Sequence, residues 1–494
     1  MRKQICDSLA ARADVVSGMS YIQGHERDQM LLLPASVEDY VAADNPVRFI
    51  EAFVDDFDLG EAGFVRARPK ATGRPGFDPG DMLKLYIYGY LNRVRSSRRL
   101  EAETIRNLEV IWLLRGLRPD YKTIADFRRD NATSFKAVFR SFVILCRRLD
   151  LFGRELLAVD GTRLKAVNSR DRNFTREKLA KLVQSADERL DDYIARLNRA
   201  DSGEDAASVE RSTLLAGKIA SLRKRREKHG ALLAQLIESG ESQISLTDPD
   251  ARAMAAHPKV GVGYNAQVAV DAKHKLIVEQ HVTNAGTDLG LLADTAGAAK
   301  DLLNVERIDA VADMGYYKGE DIAACDEIGI TAYVARPQRG AAVSKGRFRK
   351  EEFSYDETTD AYTCPTGQQL RPLYRGVERG HVVIQYCNRE ACQACAARAD
   401  CTSASHRRIG RWEGEAVLDR MAARLATRPG ILDRRREIVE HPFGTIKQWM
   451  NQGAFLMRGL DKVRGEFSLT AIAYNLRRAI NLLGVKALIA AVSD

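Results

Sequence analysis

The sequence predicts an α/β protein: a mixed sheet with helices on its faces, preceded by a unit that is helical throughout. Three observations carry this. Residues up to about 150 show apolar side chains at helical spacing only. Between Leu156 and Ala335, short apolar runs alternate with helical patterns. Two long stretches depart from that alternation, one wholly helical and one rich in turns and cysteine.

The first unit reads as follows. LPASVEDYVAADNPVRFIEAFVDDF is helical, broken at Asn45–Pro46, where Pro46 opens the next helix. GRPGFDPGD (Gly73–Asp81) is a turn-rich hinge; Gly73-Arg74-Pro75 has some likeness to a minor-groove hook, and the plain hinge is the preferred reading. Helical patterning resumes at DMLKLYIYGYL, followed by Arg93, Arg95, Arg98 and Arg99. An arginine cluster at a helix end suits phosphate binding, and equally a solvated terminus. Thr123 and Asp126 have capping-box spacing. We expect an all-α DNA-binding domain over 1–150.

The second unit, 151–494, carries the strand patterns. LLAVDGTRLKAV (Leu156–Val167) predicts a strand whose apolar run Asp160 closes, followed by a Gly-Thr turn. GYNAQVAVDAKHKLIVEQHVT predicts a hairpin turning near Ala272–Lys273. IDAVADMGYY predicts a strand closed by Asp313, and ITAYVA another buried strand. Leu179, Leu182, Ala186, Leu190, Tyr193 and Leu197, then Leu215, Ile219, Leu222, Leu233 and Leu236, predict an antiparallel helical hairpin inserted at 173–242. His229 falls on that apolar stripe and reads as a core residue. Residues 336–412 form a second insertion, polar and cysteine-rich, with too few large apolar residues for a core of its own. Helices return from Glu415, and a last amphipathic helix runs through Leu469, Ile472, Leu476, Ile480 and Leu483.

Composition bounds the function. The chain has 494 residues, 45% hydrophobic and 29% charged, enough for several buried cores. A net charge of +9 leans toward a polyanionic partner. The N-terminus lacks the apolar run of a signal peptide, and the apolar tail Leu482–Val492 is too short to span a bilayer. We therefore expect a cytoplasmic, nucleoid-associated protein with no membrane partner. Its eight cysteines should be reduced thiols or metal ligands.

The stretch RRREIVEHPFGTIK places Arg436, Glu440 and Lys447 at relative positions 0, 4 and 11, one side of a regular helix. Glu437 is a rival acid, but lies about 80° from Lys447 around the helix, against about 20° for Glu440. Pro442 cannot donate to the Ile438 carbonyl, so the helix is kinked or begins there. Two metal ions about 4 Å apart need several carboxylates on rigid elements. Asp160, Asp313 and Glu440 would supply them.

AVDGTRLKA, ADMGYYKGED and RREIVEHPFGTIK together resemble the three catalytic motifs of the DDE transposases of bacterial insertion sequences. The third is similar to the family's Y-x2-R-x3-E-x6-K signature, with Asp433 at the tyrosine position. Leu33–Arg140 also resembles the N-terminal helical domain of these transposases. The resemblance implies a ribonuclease H-like catalytic core. It implies that Asp160, Asp313 and Glu440 bind two Mg2+ (or Mn2+) ions, and that Arg436 and Lys447 hold the DNA backbone. It implies a transposase that binds the terminal inverted repeats, cleaves, and joins 3′ ends to target DNA, as a homodimer or higher oligomer. A nuclease that cuts without joining is the second reading, and a DNA-binding protein that no longer catalyses is the third.

In the cysteine-rich insertion, Cys392-x-x-Cys395 has zinc-knuckle spacing, and two of Cys364, Cys387 and Cys401 would complete a four-thiolate Zn2+ site. His406 is a spare ligand. The alternative is a set of reduced structural thiols, which is also how Cys6, Cys146 and Cys325 read.

Overall fold

The computed structural model describes residues 36–68, 76–200, 206–254, 261–337, 344–378 and 380–493. Cys6 and Gly73-Arg74-Pro75 of the expected hinge lie outside the described residues.

The N-terminal unit is helical throughout: α1 (Pro46–Asp55), α2 (Pro79–Leu91), α3 (Ser97–Arg106), α4 (Leu108–Leu113), α5 (Tyr121–Asp130) and α6 (Phe135–Arg148). Helix α1 begins where Asn45–Pro46 placed it. The Asn45 side chain accepts from Val47 N at 3.1 Å, and Pro46 has no amide hydrogen to leave unpaired. The α5 cap differs from expectation. Asp120, not Thr123, accepts from Lys122 N and Thr123 N, so the helix starts earlier and Thr123 lies inside it. Helix α2 is buried along its whole length, which explains why it reads apolar on every face.

The central sheet combines antiparallel and parallel pairs. Strand β1 (Leu156–Lys165) lies between β5 (Val262–Asp271), antiparallel, and β7 (Ile308–Ala312), parallel. Strand β8 (Ile330–Val334) extends the parallel side. On the far edge of β5 lie β6 (Ile277–Thr283) and the short β4 (Arg252–Ala253). Helices α9 (Leu292–Leu303) and α10 (Gly319–Glu327) connect the parallel strands.

Helices α7 (Arg176–Ala200) and α8 (Ala206–Glu238) form the expected hairpin. Ala186 and Leu190 pack with Ile219 and Leu222 midway, and Leu179 with Leu236 near the base. Strands β2 (Asn173–Thr175) and β3 (Gln243–Ser245) pair at its foot. His229 lies against Phe174, ring centroids 5.8 Å apart.

The cysteine-rich segment departs from its sequence reading. It has a five-stranded antiparallel sheet, β9 (Ser354–Asp356), β10 (Ala361–Thr363), β11 (Gln369–Glu378), β12 (His381–Cys387) and β13 (Ile409–Trp412). It also has a core of its own: Phe353, Tyr362, Leu370, Tyr386 and Ile409. A few aromatic rings supply the area that the count of aliphatic residues missed.

The C-terminal helices close the molecule. Ile431–Gly444 packs on β1 and β7, and Leu460–Leu483 packs on α2, α6 and β6. One continuous apolar core therefore runs from α1 to the last helix, and the two units are not separate globules. Gly465 marks the tightest approach: a Cβ there would lie 2.1 Å from the Ala132 carbonyl oxygen. Gly465→Ala should therefore destabilise the whole chain by about 1–3 kcal/mol or more, as overpacking does. Denaturant unfolding should show one cooperative transition moved to lower midpoint. An unmoved midpoint would mean that the two units are not tightly docked.

Candidate active site

The register of β1 and β7 sets the site. Parallel pairing runs from Leu156↔Asp309 to Ala158↔Val311 and stops, while β1 continues to Lys165. Asp160 thus lies within β1, not at its end as expected, just past the end of its shorter neighbour. Asp313 follows β7 directly and caps a 3-10 turn (Met314–Tyr316), its carboxylate accepting from Gly315 N at 2.7 Å. The two acids come from adjacent parallel strands.

A guanidinium joins them. Arg435 Nη1 donates to Asp160 Oδ2 at 2.7 Å and stands 3.9 Å from Asp313 Oδ2. On the Ile431–Gly444 helix, Ile431, Ile438, Val439 and Pro442 are buried. Arg435 shares that inward face by helical spacing. Glu440 and Arg436 do not. Their side chains are 71% and 72% exposed and pair with each other at 3.9 Å. The structure thus brings Asp160 and Asp313 together and leaves Glu440 outside. Glu437, the other acid of this helix, is also exposed and pairs with Lys275 at 2.9 Å. Among the described residues, no three His, Cys, Asp or Glu side chains are arranged to hold a metal ion.

Lys447 comes within electrostatic reach of Asp160 by another route. The helix runs through Pro442, then widens into a π turn (Thr445–Trp449), with Met450 N donating to Thr445 O at 2.8 Å. The wider winding breaks the regular phase that put Lys447 beside Glu440. Its ammonium is lowered below the ordinary lysine range by desolvation, with Asp160 pulling upward and Arg163 downward. The segment after the turn is pinned to β1: Lys165 N donates to Gly453 O, and Phe455 N to Lys165 O.

Burial pushes the Asp160 carboxyl up to about 6; Arg435 opposes the shift, while Asp313 and Asp288 add to it. Its folded value is raised, so the protonated form is favoured in the fold. Without a cation, the stability this brings is present below the ordinary carboxylate range and lost as pH rises toward about 6.

A third acid was missed. Asp288, in the loop before α9, accepts from Gln267 Nε2 at 2.7 Å, Asn265 Nδ2 at 2.8 Å and Arg163 Nη2 at 2.9 Å. Gly161 makes room for it, since a Cβ there would lie 2.2 Å from Gln267 Nε2 and 2.6 Å from Asp288 Oδ1. The Tyr316 hydroxyl, on the turn that Asp313 caps, donates to Gln267 Oε1. Asp288 therefore braces both acid-bearing elements from beneath. No periodicity flags a loop aspartate, so the sequence held no signal for it.

The arginine cluster divides. Arg95 is structural, donating to Ala454 O at 3.0 Å and Asn451 O at 3.2 Å, beside the buried Glu466. Arg98 stacks over Tyr121, 5.1 Å from the ring centroid. Arg93 stacks over Trp449 at 4.0 Å. Arg99 is exposed.

Four of the five cysteines of the insertion, Cys364, Cys392, Cys395 and Cys401, line one cavity of about 30 Å3. Burial raises the Cys401 thiol, Arg407 lowers it, and the other three cysteines raise it further. Cys387 is buried on β12 and does not line that cavity. Cys146 and Cys325 are buried free thiols, as expected.

Residues 363–480 match the family model described as Transposase DDE domain, and residues 35–130 match Transposase domain (DUF772). The first spans Glu440 and Lys447; neither reaches Asp160 or Asp313. No curated protein sequence matches the chain. Among solved structures, a piggyBac transposase synaptic complex with hairpin DNA is similar at 8% identity, covering 91% of this chain and 79% of that one. Its TM-score of 0.31 is too low to bear on the fold. No described helix is long and apolar enough to cross a membrane.

Asp288→Ala should cost about 3–5 kcal/mol, because it strands the buried Arg163 charge and two amides. Asp288→Asn should cost less. Equal unfolding midpoints for wild type and Asp288→Ala would mean that this network does not brace the site.

Proposed function

We propose, for a chain that is a DDE-type transposase of the insertion-sequence kind, that Asp160 and Asp313 form the metal-binding heart of a ribonuclease H-like core. The observation that carries this reading is the Arg435 guanidinium lying against both carboxylates. A cation already stands where two acids from neighbouring parallel strands converge, so the donor set suits a divalent ion, Mg2+ or Mn2+. The strand order β6-β5-β1-β7-β8, antiparallel then parallel, supports the core assignment.

When bound, the ions would supply activation of water or a DNA 3′-hydroxyl and stabilise the leaving oxygen. Asp160 and Asp313 would hold them, with Glu440 as third acid. For Glu440 to join, Arg435 must release the two acids and the helix must present Glu440 inward. Lys447, next to Asp160, would hold the strand being cut. Arg436 would reach the backbone from the exposed face that it shares with Glu440. The N-terminal unit, through Arg93, Arg98 and Arg99, would grip the element ends, and a dimer or higher oligomer would pair them.

Asp313→Ala and Asp160→Asn should each lower cleavage of end DNA by orders of magnitude while leaving its binding nearly intact. Glu440→Gln should behave alike. Normal cleavage by Asp313→Ala would end the assignment. Cleavage without joining of 3′ ends to a target plasmid would favour the nuclease reading.

We also propose that Cys364, Cys392, Cys395 and Cys401 hold one structural Zn2+. The four thiols line one cavity of about 30 Å3 without being arranged as ligands, and a single soft ion would draw them together. The sheet beside them has its own small core, so zinc would fasten the 388–402 loops and not the whole segment. Metal analysis should find close to one equivalent of zinc in the purified chain. Cys392→Ser should lose it and expose the loops to protease, while Cys387→Ser should keep it. A metal-free chain with protected loops would make the thiols purely structural.

A further inference from the structure

Two guanidiniums converge on one indole beside the site. Arg93, just after α2, lies 4.0 Å from the Trp449 ring centroid, and Arg477, on the Leu460–Leu483 helix, lies 3.4 Å from it. Two guanidinium carbons that close to one centroid would collide on a single face, so they take opposite faces. Each stacking contact is attractive, but the two cations repel one another. The Arg477 guanidinium is lowered, by burial first and by Arg93 second. Among the described residues, neither has a carboxylate partner. Many other arginines of this chain are tied to acids, including Arg420 to Asp326 at 3.1 Å. Two unpaired guanidiniums held by one ring, at an energetic cost, are the arrangement of an anion seat.

The surroundings name the anion. Arg93 also lines an open polar cavity of about 490 Å3 with Asn92, Arg95, Ser96, Arg99 and Asn451. Among the described residues, no acidic side chain lines it. Trp449 belongs to the same π turn as Lys447. Two residues of chain span at most about 7 Å, and one DNA strand advances about 3.4 Å per phosphate. A strand held by Lys447 therefore reaches the stacked pair within a few phosphates.

We infer that Arg93, Trp449 and Arg477 form a phosphate seat for the DNA strand entering the catalytic centre, Trp449 fixing the two guanidiniums at a set separation. The seat joins α2 of the N-terminal unit to the turn that carries Lys447. End recognition and strand placement thus share one rigid element. The inference rests on the transposase reading and adds Trp449 and Arg477 to it.

The test uses the full chain and a labelled DNA duplex of arbitrary sequence, because phosphate contacts are sequence-independent. Binding is measured across a salt series for wild type, Arg93→Gln, Arg477→Gln, the double variant and Arg420→Gln. Each phosphate contact contributes about 0.9 to the slope of log affinity against log salt. Each single variant should lower that slope by about 0.9 and the double by about 1.8. Arg420→Gln, an acid-paired arginine elsewhere, should leave it unchanged. Thermal melting checks that the variants fold; should the double variant fail there, the two single slopes decide. Equal slopes for wild type and the Arg93 and Arg477 variants would overturn the seat, as would an equal loss in Arg420→Gln. Nicking of a supercoiled plasmid in Mn2+ is scored alongside. A wild-type chain that binds with the full slope but never nicks would count against the transposase reading and leave the seat standing.

Discussion

The parallel pairing of β1 with β7 is the constraint on which the rest depends. It ends at Ala158↔Val311. Beyond it, until the bridge from Lys165 to Ala454, β1 pairs with β5 alone. The gap is where Asp160 faces the Ile431–Gly444 helix and where the chain leaving β7 turns at Asp313. A longer β7 would fill the gap with backbone. A shorter β1 would lose the tie from Lys165 to Gly453 and Phe455, which fixes the segment following Lys447. Strand lengths, more than any single contact, bring two acids more than 150 positions apart in sequence to one cation.

The sheet carries the site on two sides. Residues alternate faces along a strand, so Asp160 and Gly161 point oppositely. On the Gly161 side, Asp288, Asn265, Gln267, Arg163 and Tyr316 form a closed polar network. Such a network stiffens the elements it ties together, with Arg163 Nε left buried in it without a partner. It stiffens the backbone under Asp160 and the turn after Asp313 while its own carboxylate stays fully engaged. Asp288 is thus a brace, its carboxylate taken up by Gln267, Asn265 and Arg163.

What the sequence could show follows from periodicity. Asp160 and Asp313 were legible because each interrupts or ends an apolar run, and the hairpin was legible because leucines recur over many turns. Arg435 was not, because Arg434, Arg435 and Arg436 are alike in composition. The distinguishing signal was its spacing from Ile431, Ile438, Val439 and Pro442, an inward face that the signature spacing drew attention away from. Glu440 and Lys447 were placed together on the premise of a regular helix, and the π turn after Pro442 removes that premise. The small sheet at Ser354–Trp412 was missed because its core, two tyrosines, a phenylalanine, a leucine and an isoleucine, is scattered among polar residues. The four clustered cysteines could be named, but only the fold separates Cys387 from them.

Charge balance shows why the site should depend on its substrate. Asp160 and Asp313 share Arg435, and Asp288 is matched by Arg163, with Lys447 close to Asp160. The free chain is therefore nearly compensated at its centre. A divalent ion arriving alone would have to displace Arg435 and would stand among cations, in a medium where such repulsion is weakly screened. A DNA phosphate arriving with it changes the sum. The phosphate supplies negative charge next to Lys447 and gives the displaced guanidinium a new partner. Under the proposed reading, metal and DNA therefore favour one another's binding, and by reciprocity each raises the other's affinity by the same factor. The arginine that pairs with both acids would then be the group that couples metal binding to the presence of DNA.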